Sequence, residues 1–114
     1  MKHLFLIILF FSINCLFAQT AEEHYQQAIK AYEQEEYKIA IKVIDEAIKL
    51  DSSRYDFIEL KVSAFGELEK YEEIFSIYDK YISMFPDNPR AYFERGYLNN
   101  LFREYEKSIA DYTL

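Results

Sequence analysis

Three stretches of this chain repeat one another at a constant interval, and that interval limits the fold more than any other feature. "EYKIAIKVIDEAIKLD" begins at Glu36, "KYEEIFSIYDKYISMF" at Lys70 and "EYEKSIADYTL" at Glu104, so that Tyr37, Tyr71 and Tyr105 stand 34 residues apart. The same step relates Ala28, Val62 and Gly96 upstream, and Ile44, Tyr78 and Tyr112 downstream, with no insertion. A fixed period in this range marks an array in which each repeat is one supersecondary unit that buries its apolar face only against its neighbours.

Each unit reads as two helices. Tyr25, Ala28, Ile29 and Tyr32 fall at i, i+3, i+4 and i+7, one amphipathic stripe. Ile39, Ala40, Val43, Ile44, Ala47 and Ile48 form a wider stripe on the second helix, suited to burial between neighbours. Thr20 with Glu23 makes a capping-box pattern at the first helix start. Asp51, Ser52 and Ser53 break the chain before the second unit. "PDNP" does so before the third, with Asn88 as N-cap and Pro89 at the first helical position. With only two Gly and two Pro in 114 residues, the chain lacks the turn residues an all-β fold requires.

These residues resemble tetratricopeptide repeats. "AYFERGYLNNLFREYEKSIADY" is the nearest copy, through Tyr92, Arg95, Gly96, Tyr105, Ser108, Ile109 and Tyr112. The first copy matches through Ala28, Tyr37, Ala40, Ile41 and Ala47; the middle copy is weaker, with Val62, Ile74 and Tyr81 where smaller residues are usual. The resemblance implies an all-α fold, an α-solenoid with a right-handed superhelix. It divides the chain into repeats at 19–54, 55–88 and 89–114, the last incomplete. Ala28 and Gly96 are expected to let paired helices approach closely, Gly66 to serve close packing, and Tyr37, Tyr71 and Tyr105 to fill the junctions within each pair. Gln27, Lys61 and Arg95 stand where Leu is frequent, their stems expected across apolar surface with their heads in water. The third copy stops one residue short of the equivalent of Ala47, leaving a second helix of about ten residues, short for a packed helix. The expectation is the start of a longer repeat protein, or a truncated product of one.

Residues 1–18 read as a secretory signal peptide: Lys2, an apolar run from Leu4 to Phe11, and cleavage after Ala18. The "FAQ" ending resembles signal peptides common in Bacteroidetes-type Gram-negative bacteria. Export to the periplasm or the extracellular space follows, an uncleaved anchor in the inner membrane being the main alternative. Cys15, the one cysteine, lies in this segment after Asn14, a poor lipoprotein context, so no thiol remains in the mature chain.

A balance of 13 basic to 20 acidic residues, net charge −7, argues against nucleic-acid binding. The sequence has no His/Cys/Asp/Glu cluster at metal-ligand spacing, no Gly-rich phosphate loop and no nucleophile elbow. His24 reads as a packing residue. The acid pairs Glu22/Glu23, Glu35/Glu36 and Glu72/Glu73 diverge on a helix and read as solvated surface. No catalytic, metal or cofactor site is expected. The resemblance implies instead a concave groove lined by the first helix of each repeat and taking a partner peptide or protein. Its candidate contacts are Tyr25, Ile29 and Tyr32, then Asp56, Glu59, Ser63 and Glu67, then Arg90, Phe93, Tyr97 and Asn100. With Tyr25, Ile29, Leu60 and Glu94 at the clamp places and only Arg90 cationic, it is not a carboxylate clamp. The reading is a non-catalytic scaffold or adaptor, its partner unidentified. The alternatives are a self-associating repeat segment and the N-terminal arm of a larger envelope enzyme or sensor.

Overall fold

The computed structural model describes residues 20–112, with side chains through Glu106. The signal segment, its cleavage site and Cys15 lie outside the described residues. Five helices are present among them: α1 (20–33), α2 (Tyr37–Leu50), α3 (Tyr55–Glu67), α4 (Tyr71–Met84) and α5 (Pro89–Tyr112). No described residue is in a strand, so the chain is all-α as its periodicity predicts. Two compact units divide between Tyr71 and Glu72.

In the first unit α1, α2 and α3 enclose a core of Ala21, Ala28, Ile44, Ala47 and Phe57, with Tyr25, Val43, Ile48 and Leu60 packed against it. Small residues at Ala28, Ala40 and Ala47, each fully buried, leave room for neighbouring backbones, and Ile44 and Phe57 fill the remaining volume. The expected α2 stripe is narrower than its composition suggests. Ile39 is 52% exposed, because it sits one residue off the line of Ala40, Ile44 and Ala47 that faces inward.

The turn from α1 to α2 is a Schellman motif. Glu36 N–H donates to the Ala31 carbonyl and Glu35 N–H to that of Tyr32, both at 2.9 Å, with Glu35 at φ 61°. The turn after α3 repeats it one period on. Lys70 N–H donates to the Phe65 carbonyl at 2.9 Å and Glu69 N–H to the Gly66 carbonyl at 3.0 Å, with Glu69 at φ 58°. Neither left-handed position is a glycine. In the first pair Tyr37 stacks edge-on against Tyr32 at 5.3 Å, as its junction role predicts.

The Asp51–Ser53 break is an Asx-type turn: Ser53 N–H and Oγ–H both donate to Asp51 Oδ1, at 3.1 and 2.6 Å. Helix α1 is already formed at Thr20, so the proposed capping box falls at the edge of the described residues.

In the second unit α4 buries Ile74, Tyr78 and Tyr81, which stand one period after Ala40, Ile44 and Ala47. Tyr81 fills the place of an alanine, and its bulk is accommodated by contact with Phe85 at 4.9 Å. Its hydroxyl accepts a hydrogen bond from Asn88 Nδ2 at 3.0 Å. Asn88 Oδ1 accepts from Arg90 N–H at 3.0 Å, the N-cap its sequence predicts, with Pro89 opening α5. One amide side chain thus ties the α4 core to the start of α5.

The third copy departs from expectation. Helix α5 runs for 24 residues straight through Arg103, the equivalent of Glu35 and Glu69, so no short second helix folds back. A left-handed non-glycine residue costs about 1–2 kcal/mol, which the burial of a returning helix must offset. The unbroken helix keeps its backbone hydrogen bonds instead. Two further expectations fail for the same reason. Gly96, unlike the buried Ala28, is exposed, and a Cβ built on it meets nothing within 4 Å. Tyr105 is 67% exposed and fills no junction; Tyr71 is also exposed at the start of α4.

Candidate functional site

In the first unit the site rests on α1 and α3. Tyr25, Ile29 and Tyr32 project from one stripe of α1 and are half-buried; Asp56, Glu59, Ser63 and Glu67 stand on α3. Tyr25 lies over Phe57 with ring centroids 5.0 Å apart. Burial raises the Tyr25 hydroxyl's pKa, and the neighbouring Asp56, Glu22 and Glu59 carboxylates add to the rise against the opposing field of Arg54. Tyr32 behaves alike: burial first, then the nearby Glu67 carboxylate and the hydrogen bond to it, keep its hydroxyl protonated. Both tyrosines therefore present neutral hydroxyls beside acids.

Arg54 organises one end of this surface. Its Nε and Nη2 donate to the two Asp56 carboxylate oxygens at 3.0 and 2.6 Å, a bidentate pair. Its Nη1 donates to Glu22 Oε2 on α1 at 3.1 Å. The guanidinium lies 4.4 Å from the Phe57 ring centroid and 5.7 Å from that of Tyr25. Asp56 is held below the usual carboxylate range chiefly by its hydrogen bonds from Arg54. Glu22 is lowered first by its hydrogen bond from Gln26 and then by that from Arg54. Sequence reading passes over Arg54 because it follows a Ser-Ser break and its partner Glu22 lies 32 residues away. The one local signal is the Arg-x-Asp spacing.

In the second unit Arg90, Phe93, Tyr97 and Asn100 are exposed on α5, Phe93 at 72% and Tyr97 at 58%. The structure thus sets Tyr25 beside Asp56 and Glu59, and Tyr32 beside Glu67, on the first unit, and sets Arg90, Phe93 and Tyr97 along one helix of the second. His24 is half-buried on α1. Among the described residues no group of three or more His, Cys, Asp or Glu could hold a metal ion. Nor is any described helix long and apolar enough to cross a membrane.

No family model matches the sequence, and neither does any curated protein. Similarity appears in three dimensions. The Arabidopsis OM64 TPR domain superposes with a TM-score of 0.62 at 23% identity, over 85% of this chain and 80% of that one. At this identity the likeness is one of fold, and it agrees with the two Schellman turns one period apart. The chain has the tetratricopeptide-repeat fold.

Proposed function

We propose that the protein is an exported, non-catalytic interaction module that holds a partner peptide or protein against the first helices of its repeats. The observation that carries this reading is the α1/α3 face, where Tyr25, Ile29 and Tyr32 are only half-buried beside Asp56, Glu59 and Glu67. Tyrosine supplies large contact area at small entropic cost, and its protonated hydroxyl adds a directional hydrogen bond. The fold supports the same role by setting α1 and α3 side by side in the first unit. Export rests on Lys2, the Leu4–Phe11 run and Ala18.

The direct test places a photo-crosslinking residue at Tyr25 or Ile29 in the full chain and recovers adducts from the cell envelope. The expected result is one dominant adduct, lost in the Tyr32→Ala variant whose helical circular dichroism is unchanged. Recovery of no adduct from either position, or of one indifferent to Tyr32, overturns the reading. N-terminal sequencing of the exported chain is expected to begin at Gln19.

A further inference from the structure

We propose that α5 pairs antiparallel with α5 of a second copy of this chain, about a twofold axis through Tyr97. The proposal rests on the interaction-module reading and names the partner of its α5 face. The two sides of this helix differ. One carries the buried Ala91 and the contacts to α4, Arg95 on Asp79 at 2.7 Å and Phe102 against Phe75 at 5.9 Å. At about 3.6 residues per turn, the opposite side carries Arg90, Phe93, Tyr97, Leu101 and Glu104, all exposed. The equivalents of Phe93, Tyr97 and Leu101 are Glu59, Ser63 and Glu67 one repeat earlier and Tyr25, Ile29 and Glu33 two repeats earlier, so all three places are apolar in the third copy only.

The spacing along this stripe is the same read in either direction: three, four, four and three residues from Arg90 to Glu104, with Tyr97 at its centre. An isologous contact needs that symmetry, because each residue must meet a complement on the same surface. Centred on Tyr97, an antiparallel pair sets Phe93 against Leu101 of the other copy, Tyr97 against Tyr97, and Arg90 against Glu104. The charges are complementary twice over, and no like charges on this face oppose one another.

The area suffices. Phe93, Tyr97, Leu101 and Tyr105 are 72%, 58%, 45% and 67% exposed. With roughly 150–250 Å² per aromatic side chain, they offer about 400 Å² per copy. Flanking contacts from Arg90, Glu94, Asn100 and Glu104 bring the pair to roughly 1,000 Å², the lower bound for a specific interface.

Sedimentation equilibrium of the full chain tests this, with a mild detergent to keep the apolar N-terminal run from driving association. The wild type is expected to dimerise across about 1–200 µM, and Tyr97→Glu to remain monomeric with unchanged circular dichroism. Arg90→Glu alone is expected to weaken the dimer at least about tenfold, and adding Glu104→Arg to restore it. A wild type that stays monomeric, a Tyr97→Glu variant that dimerises normally, or failure of the charge reversal to restore pairing overturns the proposal. So does a monomeric chain whose α5 face captures a different protein. In that last case the interaction-module reading stands, as it does if an adduct at Tyr25 survives Tyr97→Glu.

Discussion

Lys61 Nζ on α3 lies 2.8 Å from Asp45 Oδ1 on α2, and one period on, Arg95 Nη1 on α5 lies 2.7 Å from Asp79 Oδ1 on α4. Both cations occupy the place where this fold's sequences often carry Leu. Their heads are therefore engaged by the second helix of the preceding repeat rather than simply hydrated, a repeat-to-repeat tie made in each unit. The Lys61 side chain is 23% exposed and Asp45 41%, so the pair is only partly shielded from solvent. A double-mutant cycle with Asp45→Asn and Lys61→Met is expected to give a coupling of about 0.5–1 kcal/mol, smaller in 1 M salt. A coupling of zero at low salt would remove the tie.

Glu35 and Glu69 hold left-handed backbone at φ 61° and 58°. Glycine adopts that region without the Cβ clash, against some added entropy of the unfolded chain. Glu35→Gly and Glu69→Gly are each expected to raise unfolding free energy by about 0.5–1 kcal/mol, measured by urea denaturation. Alanine at either site brings no such gain.

Gly96 has open space where a Cβ would stand, whereas Ala28, its equivalent, is fully buried. Gly96→Ala is expected to stabilise the chain by up to about 1 kcal/mol through helix propensity. Ala28→Leu overfills its site and is expected to cost about 1–3 kcal/mol. Equal effects at the two positions would show that their environments are alike.

Tyr81 joins the α4 core to the Asn88 cap through its hydroxyl at 3.0 Å. Tyr81→Phe removes that acceptor and is expected to cost about 1 kcal/mol; Tyr81→Ala also opens a cavity and is expected to cost about 3–5 kcal/mol. Thermal unfolding followed at 222 nm separates the two. Equal losses would assign the whole effect to the hydroxyl, and no loss in Tyr81→Phe would assign it to ring volume.

Arg54 lowers the pKa of Asp56 and contributes to lowering that of Glu22. A carboxylate whose folded pKa is depressed adds stability that is complete above its unfolded value, near 4. That stability is lost as pH falls through the folded value. The melting temperature of the wild type is therefore expected to exceed that of Arg54→Gln at neutral pH, the gap closing below about pH 4. A gap that persists into acid would locate the role of Arg54 in its stacking on Phe57 and Tyr25.

Much of this architecture is written in local chemistry. The 34-residue period, the breaks at Asp51–Ser53 and Asn88–Pro89, and the aligned burial of Ala40 with Ile74, Ile44 with Tyr78 and Ala47 with Tyr81 all follow from residues a few positions apart. Such signals depend on helical spacing and on caps that bond within two residues, so they survive without knowledge of neighbours. The α1 part of the candidate surface is legible for the same reason. Arg54 is not, since its value comes from Glu22 and from two rings brought over it by packing. Nor is the behaviour of the third copy. Gln34–Glu36, Leu68–Lys70 and Phe102–Glu104 all lack glycine, so nothing local separates the two segments that turn from the one that does not. A left-handed glutamate is held only where a returning helix buries enough surface to outweigh it, and that balance is settled by tertiary contact alone.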